Sequence, residues 1–132
     1  MKQKIVFADI RKLVQHERIN PAHLRAVRKE IRRDGAIRRP VIVDRESRVI
    51  LDGHHRVQAL RELGAKRVPV VYVRYQDAHI RVYLRRKDMF MKFIKRMVVE
   101  TATSHVLFPS KTTRHLITRR PVMKMVPISK LL

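Results

Sequence analysis

The apolar positions of this chain change period several times, and each change marks an element. From Lys4 to Ile10 they alternate loosely, which predicts an edge strand. Asn20-Pro21 then opens a helix, with Asn as the cap and Pro at the first helical position. Leu24, Val27 and Ile31 follow at helical spacing, while Arg25, Arg28, Lys29, Arg32 and Arg33 fill the wet side, and Asp34-Gly35 ends the helix. Pro40–Val43 and Val49–Leu51 read as two strands joined by the polar Asp44–Arg48 turn. Val57, Leu60 and Leu63 make the apolar stripe of a second helix that stops at Gly64. Val68–Val73 is nearly all apolar, as a strand buried on both faces should be.

The second half is less regular. Met89, Phe90, Phe93, Ile94 and Met97 recur as a two-turn helical face with Asp88 as its cap and Lys92, Lys95 and Arg96 opposite, a pattern read as core. A Pro-containing loop, Phe108–His115, comes next, and the tail Val122–Leu132 holds short apolar pieces that predict a final strand. There is no internal repeat and no low-complexity linker. The expectation is an α+β chain of one domain, residues 1–132: a small mixed sheet with flanking helices, a core in about residues 1–80 and a C-terminal extension over 81–132.

Composition narrows the function. The chain has no cysteine, so disulfides, thiolate metal sites and cysteine nucleophiles are excluded. No signal peptide is visible and no apolar run reaches membrane-spanning length, which makes a cytoplasmic protein without a membrane partner the expectation. One Asn, four Gln and abundant Arg and Lys fit a heat-adapted source. The net charge is +21, and residues 81–132 hold 13 of the 32 basic side chains but only 2 of the 11 acidic ones. Such an excess attracts polyanions, so non-specific nucleic-acid binding through the basic surface is expected whatever the main task. The few aromatics mostly fit apolar periodicities and form no evident stacking platform.

Three clusters can carry chemistry. Asp52-Gly53-His54-His55-Arg56 stands where a strand ends and a helix begins. With Asp52 as N-cap, Gly53–His55 would form a first helical turn whose amides, with the helix dipole, make an anion site, and two imidazoles and a guanidinium add donors. Taken alone, the motif reads equally well as a cap followed by solvated side chains. Ser110-Lys111-Thr112-Thr113-Arg114-His115 offers three hydroxyls, two cations and an imidazole suited to a phosphate or carboxylate. It lacks the glycines of a P-loop, and by itself it is a basic surface loop. His16-Glu17 precedes the first helix; Glu17 is either a general base or a surface carboxylate balancing Arg18. No histidine pair has metal-ligand spacing, and no G-x-S-x-G is present.

Taken in order, these pieces resemble the ParB/sulfiredoxin superfamily, and within it the free serine kinases of archaea. Asn20–Tyr75 is similar to the superfamily core, and Val49–Arg56 matches the kinase subgroup closely. Other ParB-like proteins carry a G-E-R-R type turn at that place, and sulfiredoxins use a cysteine that this chain lacks. His16-Glu17 aligns with an H-E pair of the kinases, and Lys111–His115 with their K-T-T-R-H loop. The resemblance implies phosphoryl transfer from ADP, or from ATP as in a bacterial branch, to the hydroxyl of free L-serine, giving O-phospho-L-serine. It implies Glu17 as the base, with Gly53, His54, His55 and Arg56 around the nucleotide phosphates. Asp52 is implied as catalytic and able to reach Mg²⁺, and Ser110–His115 as the segment holding substrate or the phosphate in transit. The chain departs from the kinases in two respects. The region between the apolar strand and the K-T-T-R-H loop is reduced to Gln76–Phe108, and Pro109-Ser110 stands in reverse order. The alternative is a ParB-like nucleic-acid-binding protein with nuclease or nucleotide-hydrolysing activity, and a third reading is an inactive relative that binds nucleotide.

Overall fold

A computed structural model describes residues 4–74, 80–84, 98–102, 113–117 and 125–132. The predicted Met89–Met97 helical face lies outside the described residues.

The chain opens with strand β1 (Ile5–Asp9) and a 3₁₀ turn (Ile10–Lys12), then an extended segment leads to helix α1 (Pro21–Asp34). Asn20 caps α1 as its sequence requires, its Oδ1 accepting from the His23 amide at 3.1 Å, and Gly35 ends the helix at φ 63°. After the two-residue β2 (Ala36–Ile37), strands β3 (Val41–Asp44) and β4 (Ile50–Asp52) form a hairpin, followed by α2 (His54–Glu62) and β5 (Arg67–Val73). In the hairpin turn the buried Asp44 carboxylate accepts from the Ser47 amide at 3.0 Å and from the Ser47 hydroxyl.

The sheet order is β1-β5-β3-β4, with β5 antiparallel to β1 and parallel to β3. The parallel β3–β5 pair requires the intervening hairpin strand and helix to cross over, which lays α2 against the sheet beside α1. Because strand side chains alternate, Val41, Val43, Val68 and Val70 enter a helix-side core with Ile31, Val57 and Leu60, whereas Ile42, Leu51, Val71 and Val73 face the other side. Helical residues 98–102 cover that second face through Val98 and Ala102. The Arg28 guanidinium on α1 meets the Glu62 carboxylate on α2 at 2.8 Å across the rim of the helix pair.

The extension contributes to the core rather than trailing from it. Strands β6 (Ile80–Leu84) and β7 (Thr113–Ile117) pair antiparallel, and the strand expected in the tail is β8 (Val126–Pro127), which pairs with β2. Leu131 is fully buried, and its carbonyl accepts from the Lys66 and Arg67 amides at 2.7 and 3.0 Å. Thr113–His115 is therefore strand, not the loop expected from Phe108–His115; pairing with β6 overrides the polar composition that suggested a loop. Among the described residues no helix is long and apolar enough to cross a membrane.

Candidate active site at the starts of two helices

Helix α2 begins one residue later than the sequence pattern indicates. Asp52 remains in β4, paired with Ile42, and Gly53 is the N-cap at φ 113°, so the first turn starts at His54. Only glycine suits this position, because a Cβ would sit 3.0 Å from Val41 Cγ2 and from Arg56 Nη2 as well as occupying a disfavoured φ.

The segment before α1 runs along the outer edge of β4. The Val14 amide donates to the Arg48 carbonyl at 2.9 Å and the Ile50 amide to the Val14 carbonyl at 2.8 Å, a short parallel ladder. His16 follows, completely buried, with Nδ1 2.9 Å from the Ile50 carbonyl. A carbonyl only accepts, so Nδ1 carries the proton, and burial holds the His16 pKa down at about 4. The ring is neutral at ordinary pH.

The His16 main-chain amide donates to His54 Nε2 at 3.2 Å, and the two rings meet edge to face at 4.5 Å. His54 Nε2 is thus an acceptor, which in a neutral ring puts the proton on Nδ1, 3.9 Å from Glu17 Oε2. Glu17 is nearly buried, its side chain 13% exposed. A partly desolvated carboxylate beside an oriented imidazole can accept a proton from a substrate hydroxyl that reaches it.

His55 joins the two helices. Its Nε2 accepts from the Asn20 amide at 3.0 Å, and its ring stands edge to face with His23 at 4.3 Å. The starts of α1 and α2 therefore lie side by side. Their positive dipole ends are close together, which favours an anion there. Arg56 is committed to the scaffold at Nη1, which donates to the Arg39 and Pro40 carbonyls at 2.9 and 3.1 Å, while Nη2 lies 3.6 Å from Asp52 Oδ2. Asp52 is the more exposed partner of that pair, at 37%.

The structure brings Glu17, Asp52, Gly53, His54, His55 and Arg56 together around the start of α2. Ser110, Lys111 and Thr112 lie outside the described residues, and Thr113, Arg114 and His115 belong to β7. Two participants carried no chemical assignment in the sequence reading. His16 is noted there only as half of a dipeptide, and nothing local links His23 to a histidine thirty-two positions away.

No protein-family model matches the chain. Superposition on a solved free serine kinase in complex with AMP covers 100% of this chain and 95% of that one, with a TM-score of 0.84 at 18% identity. The fold is that of a free serine kinase. Over 81 residues, 58% of its length, the chain is 36% identical to the ATP-dependent L-serine kinase of Staphylothermus marinus. Over 86 residues it is 31% identical to the ADP-dependent L-serine kinase of Thermococcus kodakarensis, 62% of this chain being aligned. The aligned stretches span 32% and 36% of those curated relatives, about a third of their length.

Proposed function

We propose that this protein is a nucleotide-dependent kinase of free L-serine. The observation that carries the reading is the Glu17 carboxylate, nearly buried and 3.9 Å from His54 Nδ1, at the place where two helix starts converge. A solvated surface Glu would not be held there.

In this reading the serine hydroxyl enters beside Glu17, which accepts its proton as the oxygen attacks the terminal phosphorus. The new P–O bond forms while the bond to the departing nucleotide oxygen breaks, releasing AMP from ADP or ADP from ATP. Phosphoryl transfer asks mainly for positioning and charge stabilisation, and the paired helix starts supply both. His55 holds the two starts in register, and Gly53, whose missing side chain leaves room for Val41 and Arg56, lets β4 turn directly into α2. Arg56 acts here by positioning: it ties α2 to the Arg39-Pro40 segment and stands beside Asp52. Among the described residues no group of three or more potential ligands gathers to hold a metal. One exposed carboxylate, Asp52, fits the usual manner of Mg²⁺, which is shared between a carboxylate and substrate phosphates. Bound there with the nucleotide, Mg²⁺ would neutralise phosphate charge. Ser110–His115 is the segment that the resemblance assigns to the serine carboxylate or the phosphate in transit.

The test is formation of O-phospho-L-serine by the purified chain with L-serine, Mg²⁺ and either ADP or ATP. Glu17→Gln should lower kcat by roughly 10²–10⁴-fold while leaving nucleotide affinity within about threefold, because a base acts in the chemical step. Equal losses in binding and turnover would make Glu17 structural. A sequence-selective DNA complex that survives physiological salt, without phosphoserine formation, would replace the kinase reading with the nucleic-acid one.

A further inference from the structure

The ladder between the segment before α1 and β4 breaks its own pattern at His16. In a parallel ladder the rungs Val14 N–H to Arg48 C=O and Ile50 N–H to Val14 C=O are followed by a bond from the residue 16 amide to the Ile50 carbonyl. Here the Ile50 carbonyl accepts from His16 Nδ1 instead, at 2.9 Å. The displaced amide turns to His54 Nε2. The imidazole thus stands in for its own main chain in the sheet edge, and the amide becomes available to a catalytic-site histidine. A buried leucine could fill the same space, but it could not make the exchange.

We propose that His16 is a positioning residue, whose side chain takes over a rung of the sheet so that its amide fixes His54 in the Nδ1–H tautomer, aimed at Glu17. The catalytic half of this inference rests on the kinase reading above; the structural half does not. An acceptor bond at Nε2 leaves the proton on Nδ1, and the edge-to-face contact with the His16 ring limits rotation of the imidazole. Glu17 then meets a donor of fixed direction rather than a ring free to exchange tautomers.

The experiment is long-range ¹H–¹⁵N correlation of the imidazole nitrogens in the ¹⁵N-labelled full chain, with His54 assigned by its loss in His54→Gln. The wild type should show His54 with Nδ1 protonated and Nε2 as an acceptor. His16→Leu lets the residue 16 amide return to the Ile50 carbonyl, so the His54 signals should move to a mixture of tautomers. His16→Asn, whose Nδ2 can donate from nearly the same place as Nδ1, should restore the single tautomer. In the phosphoserine assay, His16→Leu should lower kcat by roughly 10–100-fold, by analogy with the loss of groups that orient metal-bound histidines. The nucleotide KM should move far less, and His16→Asn should recover most of the rate.

A folded His16→Leu protein that keeps one His54 tautomer overturns the proposal. So does a wild-type His54 protonated on Nε2, a result that needs no variant to fold. If the tautomer responds as described but the wild type makes no phosphoserine, the positioning stands and the kinase reading falls.

Discussion

Replacing Gly53 with alanine tests how tightly the start of α2 is built. At φ 113° an alanine leaves its favoured regions, which costs about 1–2 kcal/mol by analogy with left-handed residues. Its Cβ would also lie 3.0 and 3.2 Å from the two Val41 methyl carbons, inside the ordinary carbon–carbon contact of about 3.5–4.0 Å. Val41 is wholly buried between the sheet and α2, so it cannot recede, whereas Arg56 Nη2 sits at the end of a flexible side chain. Overpacking of a buried site adds about 1–3 kcal/mol. The expected loss is therefore about 2–5 kcal/mol, a large share of the roughly 5–15 kcal/mol that holds a typical domain. Gly64 is the internal control: it has φ 85° and nothing within 4 Å of a Cβ, so Gly64→Ala should lose only the conformational part, about 1–2 kcal/mol. Urea unfolding of both variants gives the comparison directly. Equal losses would show that Val41 does not constrain the turn and would refute the close packing assigned to Gly53.

Two further outcomes follow from His16 and Arg56. His16 is neutral in the folded chain, with its pKa held down to about 4 by burial, against about 6.5 unfolded. The unfolded state therefore binds the extra proton first. Its contribution should be intact above about pH 6.5, fall by about 3 kcal/mol as pH drops to about 4, and then level off. Denaturation midpoints across that window check it, and His16→Asn should flatten that part of the profile. Arg56→Ala removes two charged hydrogen bonds, both from Nη1, to the Arg39 and Pro40 carbonyls and should cost about 1.5–3 kcal/mol, whereas Arg33→Ala, whose side chain is 69% exposed and whose Asp34 partner keeps its bond from Arg38, should cost under about 0.5 kcal/mol. Calorimetry of the two variants decides, and equal stability would mean that Arg56 does not brace α2.

Local pattern carried most of the architecture. Helix α1 was legible at both ends because a cap, a proline and a terminal glycine each act through their own backbone. The sheet strands were legible because their valines and isoleucines are buried on known faces. β2 was not, since two residues have no period and their partner lies some ninety positions away. The α2 start slipped by one because Asp is the better N-cap in general, while Val41 and a positive φ at this place demand glycine. At the candidate site, a carboxylate and a D-G-H-H-R turn announce themselves by residue type. The function of His16 depends instead on which of its two donors meets Ile50, and no one-dimensional pattern records that choice.

The return of the tail to the core has a consequence for how this fold can vary. The chain leaves the central sheet at Val73 and is anchored again at Val126, where β8 joins β2 and Leu131 closes the helix-side core. Between these two anchors Val98 and Ala102 cover the second face of the sheet, so the chain is tied down there as well. Doubling the length of a connection between two such anchors adds only about 0.6 kcal/mol of closure entropy, so a connection can lengthen or shorten while the two helix starts stay where they are. Lineages that share this site are accordingly free to differ in size between the anchors, whereas a chimera exchanging residues 76–108 loses Val98 and Ala102 and should expose the second face of the sheet unless it replaces them.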